Sequence, residues 1–218
     1  MTYFFKNIPM LYIAFIILLV SKAEAQKTHD SLEYETCIRS NLQHWVNFWK
    51  QFDDQFDVSI LQFREKNVLK YESRLVWDSV QSSRVSDKSF CFFSPDSNKM
   101  ADIYSYRYGP LKELPDRKVF ISGGEPDTEV KLIDLAKDSI YIFLSSGTPT
   151  EYQDACWYDS STLIVAGCNE NDEQLNTYYP FYYILDFENK FILLYKENAH
   201  YKPGIRNYIR YKFDVAEE

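Results

Sequence analysis

The feature that most constrains this chain is a strand pattern written twice between Phe90 and Tyr195. The first copy opens with Cys91-Phe92-Phe93-Ser94-Pro95-Asp96-Ser97 and runs on through Met100 to Tyr104. The second opens with Cys156-Trp157-Tyr158-Asp159-Ser160-Ser161 and runs on through Leu163 to Ala166. Each copy then carries a hairpin. In the first, Val130 to Leu135 is followed by a turn at Ala136 to Ser139 and by Ile140 to Leu144. In the second, Tyr182 to Phe187 is followed by a turn and by Phe191 to Tyr195. Short apolar and aromatic runs bounded by Pro, Asp, Ser and Asn predict strands and tight turns. Asp134 and Asp186 each precede a turn, where a carboxylate caps backbone N–H groups, so both are read as structural.

Upstream of the repeat lies the best helical pattern in the chain. Ile38, Leu42, Trp45, Trp49, Phe52 and Phe56 recur at steps of three and four, which places them on one face. Such a stripe needs a surface to cover. The plain expectation is the domain's own sheet, and the sharper one is docking onto another protein. Short extended segments follow from Val58 to Trp77, then a Ser-rich charged loop from Gln81 to Lys88.

The N-terminus reads as an address. Met10 to Val20 is an apolar run, preceded by Lys6 and followed by Ala23-Glu24-Ala25. A signal peptidase reads that small-x-small pattern, so residues 1–25 are expected to be removed before Gln26, with an uncleaved anchor as the alternative. The run is short for a membrane span of ~20 residues. The mature chain is expected to be secreted, or periplasmic in the cell envelope, with no membrane span. Residues 26–218 then form a single domain, divided as 26–88 (helix and short strands), 89–147 (first unit), 148–200 (second unit) and 201–218 (a basic strand).

Aromatics make up 17% of the chain, which points to a packed core. The formal charge of -8 disfavours a general nucleic-acid partner, which needs Lys and Arg against phosphate. An exported chain can oxidise its four Cys. Cys91 and Cys156 stand at the same place in the two copies, and are either bridged or retained as core thiols. No C-x-x-C spacing points to zinc or thiol redox chemistry.

The strand ending in Ser94-Pro95-Asp96-Ser97, the return strand and the hairpin at Ile133-Asp134-Leu135 resemble a blade of a β-propeller of the TolB-like and WD40-like kind. Trp157-Tyr158-Asp159-Ser160 and Leu185-Asp186-Phe187 match in the second copy. The resemblance spans about half the chain. It implies antiparallel four-stranded sheets and a scaffold for binding, and it carries over no catalytic residue. A closed propeller needs ~4 to 8 blades, and two are legible here. The expected fold is mainly β: an open or incomplete set of propeller-like sheets with one N-terminal amphipathic helix. A β-sandwich or barrel, or a ring completed by self-association, are the alternatives.

Candidate chemistry is thin. His29, His44 and His200 have no metal-ligand spacing. Ser122-Gly123-Gly124 lacks the Lys and the helix of a phosphate loop. Asp96, Asn98 and Asp102 fail the calcium-loop pattern, and the acidic run Asn169 to Glu173 reads as a solvated loop. No catalytic residue, metal ligand or cofactor is selected. Two surfaces are the binding candidates. Tyr178, Tyr179, Phe181, Tyr182 and Tyr183 crowd around Pro180, and strand alternation should expose some of these rings to a glycan or protein partner. Ile205 to Phe213 alternates as a strand, which puts Arg206, Tyr208, Arg210 and Lys212 on one face as a basic stripe. A non-catalytic exported binding protein is the function expected. An extracytoplasmic hydrolase using Asp or Glu carboxylates, or a structural envelope component, are the alternatives.

Overall fold

A computed structural model describes residues 31–76, 90–108, 111–115, 118–120, 127–147, 149–170, 177–197, 201 and 208–215. The leader 1–25, Gln81 to Lys88, Ser122 to Gly124, His29, His200, Arg206 and the acidic run past Glu170 lie outside them. The chain divides into two compact units, Met1–Cys37 and Ile38–Glu218. Residues 31–37 of the first are helical, with Thr36 Oγ1 donating to Leu32 O at 2.8 Å. Among the described residues no helix is long and apolar enough to cross a membrane.

The second unit is mainly β and contains two open antiparallel sheets. The first sheet is a meander of β3 (Cys91–Phe93), β4 (Lys99–Asp102), β7 (Thr128–Asp134) and β8 (Ser139–Ser146). A separate hairpin, β5 (Leu111–Glu113) with β6 (Lys118–Phe120), interrupts it. The second sheet is a meander of β9 (Thr150–Trp157), β10 (Thr162–Glu170), β11 (Tyr178–Asp186) and β12 (Phe191–Lys196). Each sheet has five strands rather than the four expected. The extra strands come from the N-terminal segment: β1 (Gln62–Val68) pairs with β12, and β2 (Ser73–Val76) pairs with β8. The polar sequence of β1, nearly all of it exposed, lacks the alternation that announces a strand.

The repeat is written in hydrogen bonds as well as letters. Asp134 Oδ1 accepts from Lys137 N at 3.2 Å, and Asp186 Oδ1 accepts from Asn189 N at 2.7 Å. In both turns the fourth residue after that Asp has positive φ, 46° at Asp138 and 57° at Lys190. Asp96 Oδ1 accepts from Asn98 N, and Asp159 Oδ1 from Ser161 N. The two turns of each sheet are tied together the same way, Leu135 N to Asn98 O and Phe187 N to Ser161 O, both at 2.9 Å. These are the short Asp side chains capping local N–H groups that turns favour.

The sheets face each other across one core. Because strand side chains alternate, Ala101, Val130 and Leu132 point inward from one sheet, and Ala155, Trp157, Leu163, Val165 and Leu185 from the other. Trp157 Nε1 crosses the core to donate to Phe92 O at 2.8 Å. Cys91 and Cys156 fall at the alternate positions, each on the outer face of its own sheet. In this structure the two are thiols rather than a bridged pair.

The outer face of the second sheet is buried too, with Ile164, Ala166, Tyr182 and Ile184 at 0% exposure. Within this unit, helical residues 38–41 (α1) and Gln43–Lys50 (α2) meet at Leu42, whose φ of -111° and ψ of 37° break the helix. Ile38, Leu42, Trp45, Trp49 and Phe56 are buried as the stripe requires while Phe52 is half-buried; the helix ends at Lys50, and Phe52 and Phe56 arrive through turns. Trp45 Nε1 donates to Gln153 Oε1 on β9 at 3.0 Å, so the stripe covers the chain's own sheet. Opposite Gln153 the ladder shifts by one residue between Ala166 and Gly167. A Cβ on Gly167 would stand 2.3 Å from Glu151 O, so this close strand approach requires glycine.

The C-terminal segment is not the strand its alternation predicts. Tyr208–Phe213 is a helix, α3, despite its strand-like alternation. Tertiary contacts override the β propensity, because Tyr208 and Lys212, one helical turn apart, both reach the carboxylate of Asp154. A helix separates Arg210 from that pair, so the basic stripe does not form.

Candidate functional site

The aromatics around Pro180 turn out to be core. Tyr178, Phe181 and Tyr182 are buried, and the Tyr182 ring stacks on Tyr195 with centroids 4.6 Å apart. Tyr179 and Tyr183 are half-buried; Lys196 Nζ sits 4.5 Å over the Tyr179 ring, and burial raises the Tyr183 hydroxyl pKa. The exposed aromatic face expected on β11 is therefore absent from this strand. Tyr208 is fully buried, edge-on to Phe48 at 5.2 Å, and Arg210 is half-buried. The sequence candidates do not converge on one surface.

The densest polar cluster lies along β9. Glu151, Gln153 and Asp154 are all buried. Tyr108 OH donates to Glu151 Oε1 at 2.7 Å, and Arg107 Nη1 lies 3.9 Å from the same oxygen. Gln153 Nε2 reaches Glu151 Oε2 at 3.3 Å. Lys212 Nζ lies 2.5 Å from Asp154 Oδ1, while Tyr208 OH donates to Oδ2. Burial, then the Glu151 charge, pushes the Tyr108 hydroxyl and the Cys168 thiol well above their ordinary values. Burial and Asp154 do the same to Tyr208 and Tyr104. Each carboxylate here is saturated by protein donors, and the thiol is held protonated. The cluster joins strand to helix, and it has the character of a structural network rather than of an acid–base pair.

A cleft of about 880 Å³ opens at the far end of the sheets, where the paired turns lie. Strand alternation on β8 sends Tyr141 and Phe143 to the same side. Tyr71, on the link between β1 and β2, meets Tyr141 at 5.4 Å. Phe187, just past Asp186, meets Phe143 at 5.1 Å and Trp157 at 5.9 Å. The result is an unbroken aromatic wall running from the core to solvent, where Tyr71 is 54% exposed. Leu69 and Leu132 complete the apolar lining.

The cleft's polar groups are lysines and two acids. Lys70, Lys99, Lys137 and Lys190 line it, with Asp134 and Glu188. Asp134 is occupied by its turn N–H and by Lys137 Nζ at 2.7 Å, a bond that raises the lysine pKa. The link is anchored by Leu69 N to Lys190 O at 2.9 Å and by Glu72 N to Ile142 O at 2.6 Å. Its volume and its aromatic wall flanked by charged groups are those of a small-molecule site. The sequence reading missed these residues because they come from four separate segments. The available signal was the pair of matching Asp turns, which brings Phe187 and Lys190 to one end of the sheets with Lys99.

Comparison with protein-family models, curated proteins and solved structures finds no match. Among the described residues no cluster of His, Cys, Asp and Glu is arranged to hold a metal ion.

Proposed function

We propose that this protein is a non-catalytic binding module whose ligand site is the aromatic cleft between the turn ends of its two sheets. The observation that carries this reading is the wall formed by Tyr71, Tyr141, Phe143 and Phe187 around a cavity of about 880 Å³. Flat rings of this kind stack on the face of a sugar or an aromatic body. The matching turn networks support the view that the two units are blade-like repeats serving as a scaffold. The alternative of a carboxylate hydrolase is weakened because Asp134, the buried acid of the cleft, already serves the turn and Lys137. Export rests on the apolar run and Ala23-Glu24-Ala25. N-terminal sequencing of protein taken from outside the cytoplasm should begin at Gln26, and an intact Met1 would contradict it.

The cleft itself is tested with N-phenyl-1-naphthylamine, an uncharged flat probe whose fluorescence rises on leaving water. It should bind saturably. Tyr71→Ala removes an exposed ring at little cost to the fold, and should weaken binding about tenfold. Absence of binding, or binding indifferent to Tyr71→Ala, would end this reading.

A further inference from the structure

We propose that the cleft selects organic anions: a carboxylate, sulfonate or phosphate carried on a flat apolar body. This rests on the reading of the cleft as the ligand site. The whole chain carries a formal charge of -8, yet four of the lysines line this one cleft against two acids. Their partners decide how much of that charge is available. Lys137 is neutralised by Asp134 at 2.7 Å. Lys99 Nζ is held by the carbonyl oxygen of Ser160 at 2.8 Å, a neutral acceptor, and its charge is felt by the Asp96 carboxylate, so it is offset in part. Lys70 and Lys190 make no ion pair among the described residues. Leu69 N, one residue before Lys70, donates to Lys190 O at 2.9 Å, so the two lysines belong to neighbouring stretches of backbone at one corner of the cleft.

Lys70, Lys190 and a partly offset Lys99 thus line the cleft with Glu188 beside an apolar aromatic wall. An uncharged ligand would use the wall and leave the lysines to water. A purely inorganic anion would use the lysines and leave the wall uncovered. A ligand with both parts satisfies both, on a chain whose net charge of -8 otherwise disfavours anions on average. The interaction is partly solvent-exposed, so each lysine adds modestly and salt should weaken the sum.

The test compares two probes of nearly the same shape. One is 8-anilino-1-naphthalenesulfonate and the other is N-phenyl-1-naphthylamine, which lacks the sulfonate. Both are titrated by fluorescence into the purified protein and into the variants Lys70→Gln/Lys190→Gln and Lys70→Gln/Lys99→Gln/Lys190→Gln. The exposed pair of substitutions keeps the test valid should loss of the Lys99 anchor disturb the fold. At low salt the sulfonate should bind about tenfold tighter than the neutral probe. Both variants and added salt should erase that advantage, with the neutral probe unchanged. Equal affinities of the two probes, insensitive to the lysine variants, would overturn the anion selectivity while leaving the cleft as a site. Failure of both probes to bind, or indifference of both to Tyr71→Ala, would overturn the cleft reading and this inference with it.

Discussion

Replacing Trp45 by Phe removes the indole N–H that reaches from α2 into the polar strip of β9. Its acceptor, Gln153 Oε1, lies 3.0 Å away on a residue that is 1% exposed, so water cannot take the donor's place. Leaving a buried acceptor unmet costs about 1–3 kcal/mol. The smaller ring adds roughly 1 kcal/mol of lost packing against Trp49 and Phe56. The expected loss is thus about 2–4 kcal/mol, a large share of the 5–15 kcal/mol typical of a domain. Gln153→Met makes the reciprocal change, stranding the indole N–H and releasing the Glu151 contact at 3.3 Å. In a double-mutant cycle read by urea unfolding, the combined variant should lose about 1–2 kcal/mol less than the two single losses added. Additivity to within about 0.5 kcal/mol would refute a direct bond between α2 and the sheet. Near wild-type stability for Trp45→Phe would refute the packing itself, and would return the aromatic helix to the role of a docking element for a partner.

Three further predictions concern turns, charge and thiols. Asp134→Ala and Asp186→Ala should each lower stability by about 1 kcal/mol, because each removes the same turn cap and the Lys137 side chain, 66% exposed, adds little to the first; a gap of more than about 2 kcal/mol between them in thermal melts would contradict turn equivalence. The Arg39 hydrogen bond holds the Asp57 carboxyl well below the usual carboxylate range, so the unfolded chain takes up that proton first as pH falls. The stabilisation is therefore present above about pH 4 and lost below it, and the stability difference between wild type and Asp57→Asn should shrink from pH 7 to pH 3; it should stay near or below 1 kcal/mol, since both side chains are more than a third exposed. A constant difference across that range would count against the pair. Burial keeps the Cys168 thiol protonated, so peptide mapping after iodoacetamide treatment at pH 8 should find Cys168 unmodified in the folded protein and modified once urea unfolds it; labelling in the folded state would contradict the buried strip along β9.

Much of the fold was legible because it rests on local rules. The aromatic stripe from Ile38 to Phe56 has helical spacing, and the structure buries it on the chain's own sheet. Asp134 and Asp186 were readable as turn caps because an Asp before a tight turn has few other tasks. What could not be read was set at long range. β1 is polar and exposed and becomes a strand through its pairing with β12, far along the chain. Tyr208 to Phe213 alternates like a strand, yet Asp154 draws Tyr208 and Lys212 to one side of a helix. The Tyr178 to Tyr183 run suggested an exposed face because alternation normally wets one side of a strand. Here both faces of β11 are covered: one meets the facing sheet, and on the other Tyr182 and Ile184 are at 0% exposure, with Tyr182 stacked on Tyr195. The cleft escaped sequence reading for a related reason, since Tyr71, Lys99, Phe143 and Lys190 meet through topology rather than spacing.

The most direct test of the cleft is chemical-shift mapping of the isotopically labelled protein titrated with 8-anilino-1-naphthalenesulfonate. Saturable shifts are expected at Leu69 to Tyr71, Tyr141 to Phe143 and Phe187 to Lys190, with Tyr178 to Tyr183 quiet. Shifts centred on Tyr178 to Tyr183, or spread without saturation over the surface, would contradict the cleft as the ligand site.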